Sequence, residues 1–185
     1  SAIMQGFYFS IGFLTSSASS EEYFSPLGIA FSSGVHRKYT LFSCFGAMAG
    51  YIVSNDYIHA FRYVMALILV YILKVYVNTF PNLQKKTYIP ALISLFATIS
   101  TGIVVMATEP FGLKSVLMRV AEAVISFGAA YFFYISVKTT EKIGENERIT
   151  SKEVISLVVA ALALILCLSR ISLFGISLSG IACSY

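Results

Sequence analysis

The sequence predicts an all-α fold, a polytopic transmembrane helix bundle of about six to seven spans. Three observations lead there. The chain of 185 residues is 57% hydrophobic and only 12% charged, with a mean hydropathy of +0.80. A soluble domain is about 45–50% apolar and about 25% charged, and half the usual charge cannot cover a water-facing surface of this size. The apolar residues also gather in long uncharged runs, of which 88–107 is the clearest, twenty residues without one charge. A spanning helix needs roughly 20 such residues. Finally, the roughly ten-residue alternating strands of a membrane β-barrel are missing. Lipid offers the backbone no hydrogen bonds, so helices are the remaining solution.

In order, the apolar segments run over 2–19, 24–35 (short), 40–55, 57–79, 88–107, 113–137 and 154–169, and the stretch 171–185 has the composition to start a further helix. All belong to a single transmembrane domain, 1–185. The first twenty residues carry no charge and lack the basic start of a signal peptide, although Ser16-Ser17-Ala18 has the form of a cleavage site. With no initiator Met, the chain is expected to be a fragment of a longer protein. Thr150-Ser151-Lys152-Glu153 fits a capping box, which would start the last long helix cleanly in water. Pro26-Leu27-Gly28-Ile29, Pro110-Phe111-Gly112-Leu113 and Leu173-Phe174-Gly175-Ile176 look alike. They are either a repeat of short re-entrant or half helices near Pro26, Pro110 and Gly175, or a chance likeness in an apolar sequence.

The loops orient the bundle. With 36–39 in the cytoplasm, alternation also places 80–87 and 138–153 there. Arg37, Lys38, Lys74, Lys85, Lys86, Lys138, Lys142, Arg148 and Lys152 then lie toward the inside, and only Arg62, Lys114, Arg119 and Arg170 toward the outside. This nine-to-four split follows the positive-inside rule and gives a multi-pass cell-membrane protein with a cytoplasmic N-terminus. The formal charge of +4 therefore reports orientation, and no nucleic-acid partner is implied. Tyr23, Tyr39, Tyr57, Tyr88 and Tyr134 fall near span ends, as interfacial belts require.

Charges inside a membrane are functional candidates. Arg119 and Glu122 stand at i,i+3 in the sixth segment and can meet on one helix face. They form either a functional pair or a structural one that offsets the cost of burial. Arg62 and Lys74 lie near opposite ends of the fourth segment, where long side chains snorkel to the surface. Gly46 and Gly50 form a GxxxG that lets two helix backbones approach, with a partner either inside the chain or in a second copy. His36 and His59 have no matching ligands for zinc. Asp56 is the sole aspartate, which excludes an aspartate dyad, and neither a phosphate-binding loop nor a dinucleotide fingerprint occurs. Cys44, Cys167 and Cys183 sit in apolar runs without metal spacing and read as packed thiols. No catalytic, cofactor or metal site is expected in this chain.

Gly12-Phe13-Leu14, Ser25-Pro26-Leu27-Gly28-Ile29-Ala30-Phe31, the basic turn Arg37-Lys38 and Ile171-Ser172-Leu173-Phe174-Gly175-Ile176-Ser177 together give the chain a resemblance. It resembles, over nearly its whole length, the N-terminal polytopic membrane region of the stage II sporulation protein E family. The resemblance implies a longer bacterial protein whose membrane region precedes a PP2C-type serine phosphatase. That enzyme acts on an anti-sigma-factor antagonist in the forespore. The membrane part localises and assembles it at the asymmetric septum, by self-association and with the cell-division protein FtsZ as a partner. Manganese or magnesium would belong to the phosphatase domain, because one aspartate cannot hold a pair of metal ions. A different class also fits the composition: a small membrane transport protein, or the substrate-binding subunit of a vitamin transporter, with a polar cavity among broken helices.

Overall fold

The computed structural model describes residues 2–18, 25–55, 57–80, 83, 86–108, 112–144, 148–170, 172–173 and 176–177. The expected landmarks Lys85, Pro110 and Gly175 lie outside the described residues, as do Asp56 and Cys183. Seven helices account for nearly all the rest: α1 (Ala2–Ser17), α2 (Leu27–Gly34), α3 (Arg37–Ser54), α4 (Tyr57–Val77), α5 (Ile89–Thr108), α6 (Leu113–Gly144) and α7 (Ser151–Arg170). Where a further helix was expected over 171–185, Ser172–Leu173 and Ile176–Ser177 instead pair as two antiparallel two-residue strands. Glycine at 175 gives a helix little support there.

Among the described residues, four helices are long and apolar enough to cross a membrane: α4, α5 over Ile89–Ala107, α6 and α7 over Ser151–Leu168. These four account for part of the expected six to seven spans. The 16 residues of α1 fall short of a full span and the 18 of α3 open on Arg37 and Lys38. The eight residues of α2 rise about 12 Å, less than half the ~30 Å hydrocarbon core. By contrast the 32 residues of α6 measure about 48 Å.

Local chemistry sets the ends. Pro26 precedes α2, where its missing N–H costs nothing. Val35 and His36 are extended and carry the chain directly into α3. The N-terminus of α7 uses the expected Glu153: its carboxylate accepts from Thr150 N–H and Thr150 Oγ1–H, both at 2.8 Å. Within α1, Thr15 and Ser16 donate back to Ile11 and Gly12 carbonyls. Such back-bonding lets hydroxyls sit in an apolar helix without orphan donors.

The bundle is assembled with small residues and hydroxyls inside and large apolar residues outside. Ala60, Ala66, Ala97, Ala130 and Ala160 are buried, while Phe61, Met65, Ile72, Val158, Leu162 and Ile165 are exposed. Lipid is as apolar as leucine, so helices in it associate through close packing and hydrogen bonds. Ser94 and Thr98 of α5 meet Ser126 of α6 at 2.5 and 3.1 Å, and Ser136 of α6 donates to the Ser156 carbonyl of α7 at 2.8 Å. Closest approach is between α1 and α3, which run parallel: Gly46 lies against Phe9, and Gly50 against Phe13 and Ser16. Between these helices and α4–α6 sits α2, with every residue from Gly28 to Gly34 buried.

Candidate functional site

Two polar assemblies occupy the interior, one at each end of the buried helix α2. The first centres on Glu122 of α6, which is fully buried. Its Oε2 accepts from Arg62 Nη2 of α4 at 2.5 Å and from Arg119 Nη1 at 3.3 Å; its Oε1 accepts from the Tyr63 hydroxyl at 2.8 Å. Tyr63 is stacked on Tyr51 of α3, with ring centroids 4.4 Å apart. The two tyrosines then hold the residue that leads into α2. Tyr51 donates to the Ser25 carbonyl at 2.5 Å, and Ser25 N–H donates to the Tyr63 hydroxyl at 3.2 Å. One carboxylate thereby ties α3, α4, α6 and the entry to α2 into a single network.

Glu122 is shared between two guanidiniums. Arg62 is 4% exposed, and its Nε and Nη1 find no hydrogen-bond partner among the described residues. A buried donor left so costs about 1–3 kcal/mol. Part is offset because the guanidinium lies 5.0 Å from the Tyr63 ring centroid, a cation–π distance. Gly102 of α5 faces the same place: a Cβ added there would stand 3.9 Å from Arg119 Cβ and Arg62 Nη2, in ordinary contact with both side chains.

The second assembly caps the other end of α2. Lys74 of α4 turns inward and its ammonium donates to the Ser32 and Val35 carbonyls, at 3.0 and 2.5 Å, and to Thr40 Oγ1 at 3.0 Å. The last carbonyls of a helix have no partner of their own and carry partial negative charge, so a cation is the matching cap. Beside it opens a cavity of about 300 Å³ between the α2–α3 junction, α4, α5 and α6, lined by the polar His36, Arg37 and Lys74 and by the apolar Val35, Val77 and Ile93. A smaller neighbouring cavity shares His36 and Tyr134 and adds Lys138 and Glu141.

Arg119 and Glu122 thus stand in contact, joined by a third charge that sequence spacing did not supply. Arg62 and Lys74 correct the snorkelling expectation. Both heads turn into the bundle, because a fully buried carboxylate and a set of helix-terminal carbonyls are better partners than the distant interface. Gly46 and Gly50 face α1 of the same chain, where an added Cβ at Gly50 would stand 2.6 Å from the Phe13 carbonyl oxygen. Arg37 and Lys38 are exposed at the start of α3, and Lys86 lies 5.7 Å over the Tyr88 ring. Among the described residues no group of His, Cys, Asp or Glu has metal-holding geometry. The network members Ser25, Tyr51 and Tyr63 went unnoticed in sequence, because tyrosines in an apolar chain read as interfacial. Comparison with protein families, with curated proteins and with solved structures finds no match for this chain.

Proposed function

We propose that this chain is the membrane-anchoring and assembly region of a larger bacterial protein, as its resemblance to the stage II sporulation protein E family implies. In this reading α1 and α3 cross the bilayer alongside the four long helices, α2 is an internal half helix, and the basic ends of the bundle face the cytoplasm. The parent is a sporulation serine phosphatase at the division septum, with FtsZ reached through the parent. The observation that carries the reading is how densely the interior ties the helices together. Glu122 joins α4 to α6, Lys74 caps α2, and the helices are held by glycine contacts and serine bridges, as suits a rigid scaffold.

A fluorescent fusion of this chain expressed in a sporulating bacterium tests it. Enrichment at the asymmetric septum is the expected result, and uniform membrane fluorescence refutes it. The genomic sequence beyond the Tyr185 codon gives a second test. Aspartate-rich phosphatase motifs in frame are expected, and an immediate stop codon favours the competing reading of a small transport protein. One observation favours that competitor: α2 is a half helix buried in the bundle, the kind of broken element from which transporters build midplane sites.

A further inference from the structure

We infer that the cavity beside Lys74 binds the phosphate of an anionic phospholipid headgroup. The charge on its walls is one-sided. Arg37 and Lys74 line it, and among the described residues no Asp or Glu does, although Glu141 lines the adjoining cavity. Two helices also begin on it: His36 and Arg37 open α3, and Ile89 and Pro90 open α5. Helix N-termini carry partial positive charge and attract oxyanions. The three hydrogen bonds of Lys74 are already spent on Ser32, Val35 and Thr40, so its contribution is charge alone. Direct contact falls to Arg37 and His36, both exposed. The Arg37 guanidinium is a planar fork suited to phosphate. His36 Nδ1 accepts from Lys38 N–H at 3.5 Å, which favours the tautomer with its proton on Nε2, a second donor.

The apolar part of the lining chooses among phosphates. Val35, Val77 and Ile93 give a free inorganic anion nothing to gain, whereas the glycerol and first methylenes of a lipid would cover them. Depth agrees, since Val77 ends α4 and Ile89 begins α5, so the cavity opens at the level of the span ends, where lipid phosphates lie. The volume of about 300 Å³ is at the small end of ligand pockets and fits a headgroup rather than a whole lipid. This inference rests on the chain being membrane-embedded, but not on the anchoring role; its failure leaves the septal test untouched.

Native mass spectrometry of the detergent-purified chain, titrated with phosphatidylglycerol, phosphatidylcholine or inorganic phosphate, tests it. Phosphatidylglycerol should be retained in preference to phosphatidylcholine. Arg37→Gln should weaken that retention about tenfold, the order expected for one lost charge-assisted hydrogen bond. His36→Gln should weaken it less, and Lys86→Gln, which removes a charge from the same end outside the cavity, should leave it unchanged. Both lining variants alter exposed residues at a helix start, so a melting curve matching the parent will show that they fold. Equal retention of the two lipids overturns the inference. So does a loss in Lys86→Gln equal to that in Arg37→Gln, which would indicate diffuse surface charge. Complete displacement by inorganic phosphate would overturn the lipid assignment.

Discussion

Replacing Glu122 by Gln asks what the central carboxylate is worth. The substitution keeps the shape of the side chain and an acceptor for Tyr63, but removes the anion that Arg62 and Arg119 share. Arg62 is 4% exposed and Glu122 0%, so solvent cannot screen the loss. Breaking a buried pair by removing one partner costs about 3–5 kcal/mol, because the other charge stays buried and uncompensated. Here the buried Arg62 is stranded and Arg119 loses a contact, which puts the expectation at about 3–5 kcal/mol. For a chain of this length each kcal/mol moves the melting midpoint about 2–4 °C, so a fall of about 10 °C or more should appear by circular dichroism in mild detergent. Arg62→Met together with Glu122→Met should recover much of it, since a buried pair exchanged for apolar residues of similar volume is often near neutral. If Glu122→Gln melts within a degree of the parent, or the double variant is no better than the single, the carboxylate is not the tie between α4 and α6.

Three further outcomes are expected. Gly50→Ala places a Cβ 2.6 Å from the Phe13 carbonyl oxygen, where ordinary contact begins at 3.4 Å, so α1 must move away from α3. Such overpacking costs about 1–3 kcal/mol, read as a lower melting midpoint with unchanged dimer crosslinking, and an unchanged midpoint would contradict the contact. Lys74→Met strands the Ser32 and Val35 carbonyls and should speed hydrogen exchange of the α2 amides while sparing those of α7; protection equal to the parent would deny the capping role. Cysteines placed at Lys38 and Lys138 should escape an impermeant thiol reagent applied from outside the cell, while one at Asn55 reacts, and the reverse pattern would invert the proposed topology.

Much of the helix map was legible because lipid leaves one solution for apolar runs. The segment 88–107 became Ile89–Thr108, and 57–79 became Tyr57–Val77, with the boundaries set by charges and prolines visible in sequence. The short segment at 24–35, one of the candidate half helices, became α2: Pro26 opens it, and ten residues separate Pro26 from Arg37, too few to cross a bilayer. The segments 2–19 and 40–55 also became helices, but α1 is only 16 residues long and α3 opens on two basic residues, so neither matches the four long apolar helices.

The centre of the site was less legible. Arg119 and Glu122 share a helix, so spacing reveals them, whereas Arg62 is sixty residues away and its side chain is long enough to point either way. A signal was present nonetheless. In the proposed topology α4 and α6 run in the same direction, and Arg62 and Glu122 lie at comparable depth from the same ends. Unlike charges at matched depth seldom remain apart in lipid. Nothing comparable marked Lys74, which donates to two backbone carbonyls and the Thr40 hydroxyl, a pattern that side-chain types do not reveal.

The distance along the chain between Arg62 and Glu122 bears on how the protein is made. At about 5–20 residues per second, α4 leaves the ribosome roughly 3–12 s before its carboxylate partner exists. During that interval a lone arginine would have to be admitted to the bilayer at about 2.5–3.5 kcal/mol by insertion scales, a debt carried by the surrounding leucines and isoleucines of α4. The helix therefore has reason to linger at the translocon until α6 arrives. A stall or truncation between residues 80 and 120 should yield a product that the membrane quality-control proteases remove, while one extended past residue 144 survives.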